Sequence, residues 1–136
     1  MSILNPLYTS LYTTLQGGTA LTSLLSGTAA IYNKQAPDNA VLPYVVFSHQ
    51  GGGPDNDYSA RNENSVVFIR GYAGTDPAAR AIDDAVDALI TGKNISITGY
   101  STFWSAREVD LDLVETTQSG QRIYMAGGFY RIRAGK

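Results

Sequence analysis

Residues 49–64, "HQGGGPDNDYSARNEN", decide how this chain is read. A triple glycine after an apolar run is either a backbone cradle for phosphate, with acidic residues behind it for a metal, or a connection between strands. The first reading points to an enzyme and the second to a sheet-based domain that works by contact. A phosphate cradle needs a helix N-terminus behind it to present free N–H groups. Here Gly51, Gly52 and Gly53 lead through "PDNDYSARNEN" into "SVVFIRGYA", a run that predicts a strand. Asp55, Asn56 and Asp57 lack the glycine and distal glutamate spacing of a calcium loop. The stretch therefore reads as a long hairpin connection. Long connections in compact domains are more often functional than accidental, and here the expected function is contact.

The flanks give the sheet. "YVVFSHQ" is nearly continuously apolar and predicts a central strand. In the next strand Val66, Phe68, Arg70 and Tyr72 share one face, and Val67 and Ile69 share the other. "GTDPAARAIDDAVDALITGK" then predicts an amphipathic helix with Asp76 as cap and Pro77 in the first turn. Ala81, Ile82, Ala85, Val86, Leu89 and Ile90 form its apolar stripe, while Asp83, Asp84 and Asp87 fall on a solvated face. Gly92 ends it, with Lys93 at the negative end of its dipole.

Upstream, Leu7, Leu11 and Leu15 mark one face of a helix, with Asn5 as its cap, Pro6 in its first turn and Gly17-Gly18 as its stop. "TALTSLLSG" predicts a short second helix with Thr19 as cap and Gly27 beyond its end. "IYNKQAPDNAVLP" reads as a loop, because Pro37 and Pro43 bias their predecessors away from helix. "NISITGYSTFWSAREVDLDLVE" and "QRIYMAGGFYRIRA" are extended segments joined by the turn "TTQSG". The order ααββαββ predicts an α+β domain over residues 1–136, with helices packed on a mostly antiparallel or mixed sheet of about four strands.

Composition narrows the function. Charged residues make up 16% of the chain, against roughly 25% in soluble domains. Nine tyrosines stand against four phenylalanines, which suits either strands or surfaces that become covered. A net charge of −2 argues against a basic nucleic-acid-binding stripe. With no cysteine and one histidine, disulfides, Cys-ligated zinc and multi-His sites are excluded. No run approaches the roughly 20 apolar residues of a membrane helix. "MSILNPLYTSLYTTLQGG" lacks the cationic start of a signal peptide, so synthesis in the cytoplasm is expected.

Candidate chemistry is sparse. His49 would need an orienting partner and a nucleophile, and its neighbour Ser48 should point to the opposite face of the strand. "TGKN" at 91–94 is a helix end rather than a phosphate loop. Glu108, Asp110 and Asp112 alternate on one strand face, with Val109, Leu111 and Leu113 on the other. Three carboxylates in a row can hold a cation or form a solvated acidic face. A basic row, Arg131 and Arg133 on the last strand, would neutralise them within the sheet or across a subunit interface. No catalytic, cofactor or metal set emerges.

The order of these elements resembles a known family. "AAIYNKQAPDNAVLPYVVFSHQGGGPDNDYS", then "VVFIRGYAGTDPAARAIDDAVDALITG", then "GQRIYMAGGFYRIRA" is similar to the tail-completion, or tail-to-head joining, proteins of long-tailed bacteriophages. The likeness runs from about residue 5 to the end; "TGYSTFWSAREVDLDL" is its least familiar part. The resemblance implies a structural virion protein of a phage or phage-like particle, assembled in the bacterial cytoplasm and placed at the head–tail junction. It implies a ring, typically hexameric, that caps the tail tube and joins it to the head connector, with DNA passing through without specific binding. It implies no enzyme activity, no cofactor and no membrane.

Within that picture the stretch of Gly51, Gly52, Gly53, Pro54, Asp55, Asp57, Tyr58, Arg61 and Glu63 is the candidate partner or channel loop, net acidic and with Tyr58 as its natural anchor. A neighbouring connector, such as a head-closure protein, is the alternative within this class. A small-molecule-binding or enzymatic domain using Gly51–Asp57 and His49 is the alternative outside it.

Overall fold

The computed structural model describes residues 3–26, 30–54, 56 and 61–136. Its elements are α1 (Leu4–Gln16), α2 (Thr19–Thr22), β1 (Ile31–Asn33), β2 (Tyr44–Pro54), β3 (Asn62–Ala73), α3 (Asp76–Ile90), β4 (Ser101–Thr116) and β5 (Arg122–Gly135). The five strands form one mixed sheet in the order β1-β2-β3-β5-β4. Only β1 and β2 run parallel; the other pairs are antiparallel. The expected α+β class holds, with one strand more than expected.

That extra strand corrects the reading of "IYNKQAPDNAVLP" as loop throughout. Ile31 pairs with Val45 and is buried, so the segment joins the sheet before Pro37 and Pro43 turn the chain. Three caps are also corrected. α1 begins at Leu4 with Ile3 at its cap position, so Asn5 lies in the first turn. Pro6 is tolerated there because first-turn N–H groups have no intrahelical partner. Gly18, not Thr19, precedes α2, and Gly27 lies outside the described residues. At α3 the cap is Thr75, whose extended backbone lets its hydroxyl accept the Ala78 N–H at 3.4 Å. Asp76 is instead the first helical residue, where its charge favours the positive end of the dipole.

All the helices pack on one face of the sheet. Leu7, Leu11 and Leu15 of α1 and Ala79, Ile82, Val86 and Ile90 of α3 meet Val45, Phe47, Val67, Ile69, Tyr130 and Ile132 in a single core. Ala85 and Leu89 flank that stripe half-buried. Gly71 of β3 allows α3 to settle, since a Cβ there would lie 2.4 Å from Ile82 Cγ2. Alternation puts Val66, Phe68, Arg70 and Tyr72 on the opposite face, as the sequence predicts.

The strands also run further into the 49–64 stretch than expected. β2 continues through all three glycines to Pro54, after a register shift between His49 and Gly51. β3 resumes at Asn62, and of the residues between the two strands only Asn56 and Arg61 are described. β4 has two further shifts, at Thr102/Trp104 and Arg107/Val109. The second controls everything around the acidic row.

Candidate functional site

The shift leaves Glu108 without a partner residue on β5, so the strand changes face parity there. Before it, Arg107 lies opposite Tyr130 on the helix side; after it, Asp110 and Asp112 lie opposite Gly128 and Ala126 on that same side. Glu108 instead reaches Arg131, whose Nε donates to its Oε1 at 2.8 Å on the bare side. The expected single row of Glu108, Asp110 and Asp112 is therefore corrected to two faces. Glu108 has the Arg131 partner that charge balance called for, and Arg131 also donates to Asn64 Oδ1 at 2.8 Å. Arg133 lies opposite Trp104 and Asn64, on the bare side and away from Asp110 and Asp112.

Arg107 organises the helix side. Its guanidinium forks onto Asp83 of α3, with Nη1 to Oδ1 at 2.7 Å and Nη2 to Oδ2 at 2.8 Å. It also donates to the Tyr130 hydroxyl at 3.0 Å, to the Gly127 carbonyl at 2.8 Å, and to Asp110. Burial opposes the Arg107 charge, but the Asp83 hydrogen bonds and charge outweigh it and push its pKa above the usual arginine value. Burial, only partly offset by Arg107, raises the Tyr130 phenol. Both partners keep their native protonation states at any physiological pH. Asp83 is thus corrected from solvated residue to partner in a two-pronged ion pair, 17% exposed against 15% for Arg107. Gly128 makes room for this fork, because a Cβ there would lie 2.6 Å from Arg107 Nε.

Beside the fork lies an open cleft of about 620 Å³ between α3 and β4. Asp83, Asp84 and Asp87 line one wall and Asp110 and Asp112 the other. The lining cations are Arg107, held as above, and Arg80, which pairs with Asp76 at 3.3 Å. Among the described residues no group of three His, Asp or Glu side chains is arranged to hold a metal.

Among the described residues the other side of the sheet carries no helix. Phe68 and Phe129 stack with centroids 4.8 Å apart, and the Arg70 guanidinium lies 4.5 Å above the Phe68 ring. Tyr32, Tyr44 and Tyr72 extend this patch towards β1, with Arg70 Nε donating to the Tyr72 hydroxyl at 3.0 Å. Towards β4 the patch continues through exposed Trp104, Val109 and Leu113. The sequence predicts Phe68, Arg70 and Tyr72 on one strand face and Val109 and Leu113 on another, and reads Tyr32 as loop; it does not signal that, among the described residues, no helix covers them.

At the hairpin base, His49 and Ser48 part to opposite faces as expected. Ser48 Oγ accepts from Gln50 and Arg70, while the His49 backbone N–H donates to the Tyr8 hydroxyl at 3.3 Å. Burial lowers the His49 pKa. His49 lines a small pocket with Gly52, Gly53, Pro54, Arg61, Glu63 and Ser65. Glu63 is buried within β3, with Arg61 3.8 Å away, so it belongs to the sheet rather than to a projecting loop. Gly51 to Pro54 are likewise strand residues. Asp55, Asp57 and Tyr58 lie outside the described residues.

One sheet face packed and the other bare, with an unpaired edge strand beside an acidic cleft, defines a subunit equipped to work through its surfaces. A family model for tail completion protein gp17 matches residues 9–125, and the chain belongs to that family of structural phage tail proteins. No curated protein matches it. Its fold is similar to that of a chain in the virion of a native gene transfer agent (GTA) particle, with a TM-score of 0.81, 14% identity, and coverage of 99% of this chain and 98% of that one.

Proposed function

We propose that the protein forms a hexameric ring that caps the finished tail tube and joins it to the head connector. The observation that carries this reading is family membership over residues 9–125. The bare sheet face supports it, because rings close through one repeated heterologous contact and that contact needs a surface the monomer leaves open. Low charge and the Tyr32, Tyr44 and Tyr72 patch suit such a surface. In this reading the protein has no catalytic role, and its place is the head–tail junction of the virion, where DNA passes without specific contacts. Light scattering and projection images of the purified protein, alone and with tube ends, test it. Closed rings are expected; a protein that stays monomeric even with tube ends overturns the proposal.

The 49–64 stretch keeps a narrower part in this proposal. Residues 55–61 join the hairpin and are its contact point with the tube, the connector or the channel. The wider stretch, Gly51–Glu63, is net acidic, so a channel-facing position would repel DNA rather than hold it. Replacing 55–61 by a short Gly-Ser turn should leave β2 and β3 intact. Particles made with that variant should have tails of uncontrolled length, or tails that fail to join heads. Normal infectious particles would reduce the segment to a spacer.

A further inference from the structure

β4 ends the sheet, so among the described residues one row of its backbone N–H and C=O groups has no partner strand. From Val109 to Thr116 its ladder to β5 is regular. This run contains no proline or lysine, and the charges that guard it, Asp110, Asp112 and Glu115, are all acidic, so they admit a basic strand and reject an acidic one. Val109, Leu111 and Leu113 face the bare side, with Val109 and Leu113 44% and 53% exposed. Asp110 and Asp112 face the helix side, where the cleft continues to Asp84 and Asp87 on α3.

We propose that this rim of β4 takes up an extended segment of another protein as an added strand, one in which Lys or Arg alternates with apolar residues. Such a strand satisfies the open backbone row, which supplies affinity without regard to sequence. Alternation then sets the code. Residues opposite Asp110 and Asp112 point into the cleft, where cations meet Asp84, Asp87 and Asp112 beside Asp110, which already holds Arg107. Residues opposite Leu111 and Leu113 extend the apolar row of the bare face.

A second copy fits this rim poorly. β4 against β4 in the antiparallel register centred on Leu111 sets Asp110 beside Asp112 of the other copy, and like charges in cross-strand positions repel. The opposite edge, β1, is only three residues long and its Ile31 is buried. The inference stands independently of ring closure, since the rim is open in a single subunit.

The test uses the full chain and a labelled synthetic peptide of alternating lysine and valine. Controls are a glutamate–valine peptide and a lysine–valine peptide with a central proline. The lysine–valine peptide should bind at least about tenfold more tightly than either control, as expected when several weak charge pairs and a continuous ladder act together. Binding should slow amide hydrogen exchange within residues 109–116. The double variant Asp84→Lys, Asp112→Lys changes two exposed residues and should shift preference towards the glutamate peptide. Equal binding of the three peptides, or protection elsewhere in the chain, overturns the proposal. So does self-association that protects 109–116 without peptide, which would make a second copy the occupant.

Discussion

Both faces of one sheet carry large apolar side chains, yet among the described residues helices pack on only one of them. On the packed face Phe47, Ile69 and Tyr130 are fully enclosed between strands and helices. On the bare face Phe68 and Phe129 lean on each other and on Arg70, while Trp104, Val109 and Leu113 meet solvent. The same period-2 alternation builds both, so alternation alone does not tell a core from a contact surface. The difference lies in what the chain supplies to cover each face. The packed face forms the core of the monomer; the bare face keeps its large side chains partly in solvent.

Truncation should separate the faces most sharply. Phe47→Ala empties an enclosed site and should lose about 3–5 kcal/mol of stability in urea denaturation. Leu113→Ser, on the bare face, should stay within about 0.5 kcal/mol of the parent protein. A large loss at Leu113 would show that this face is already covered in solution.

The Arg107 fork should come next. Arg107→Met leaves Asp83 largely enclosed without its cation, and partial exposure of the pair places the loss near 2–3 kcal/mol, below that of a fully buried pair. Adding Asp83→Leu should restore part of it, as an interacting pair requires. Fully additive losses would mean that α3 is held to β4 by packing alone.

On the bare face, charge reversal of the Glu108–Arg131 pair should have a smaller effect. Glu108→Arg and Arg131→Glu should each destabilise slightly, and the double variant should recover about 0.3–1 kcal/mol in a thermodynamic cycle. Zero coupling would remove this pair as a link between β4 and β5.

The smallest effect belongs to His49. Burial depresses its pKa, so the folded state favours the neutral ring. That contribution is complete above the ordinary histidine value, about 6.5, and is lost as pH falls through the lower folded value. His49→Gln should therefore flatten the decline in stability below about pH 6.5, with little change at pH 8. An unchanged pH profile would place His49 in solvent.

Several of these features were legible in the sequence, and others could not have been. Leucines spaced four apart placed α1, and the alternation of Val67 and Ile69 with Phe68 and Arg70 assigned both faces of β3. β1 was not legible, because three residues of parallel strand make no periodic signal and gain their meaning only from distant β2. The acidic row was visible, but its division was not. A single unpaired residue at Glu108 reverses the parity of everything after it, and no residue type announces that shift. Asp83 failed for a related reason. Its place off the apolar stripe is legible in the sequence, while its cation lies on another element, 24 residues along.

The position of β5 has a consequence for how a subunit comes into being. It follows every other strand in the chain, yet it lies between β3 and β4 and bonds to both. While a ribosome is still making the stretch before Arg122, β3 and β4 have no ladder to each other. Tyr130 and Ile132 are also missing from the centre of the core. Pairing β5 with β3 must then close a loop containing all of α3 and β4, which makes it a late and costly step. An unfinished chain therefore offers neither the aromatic patch of Phe68 and Phe129 nor a backed β4 rim. The bare-face aromatic pair and the centre of the hydrophobic core both wait on the pairing of β5.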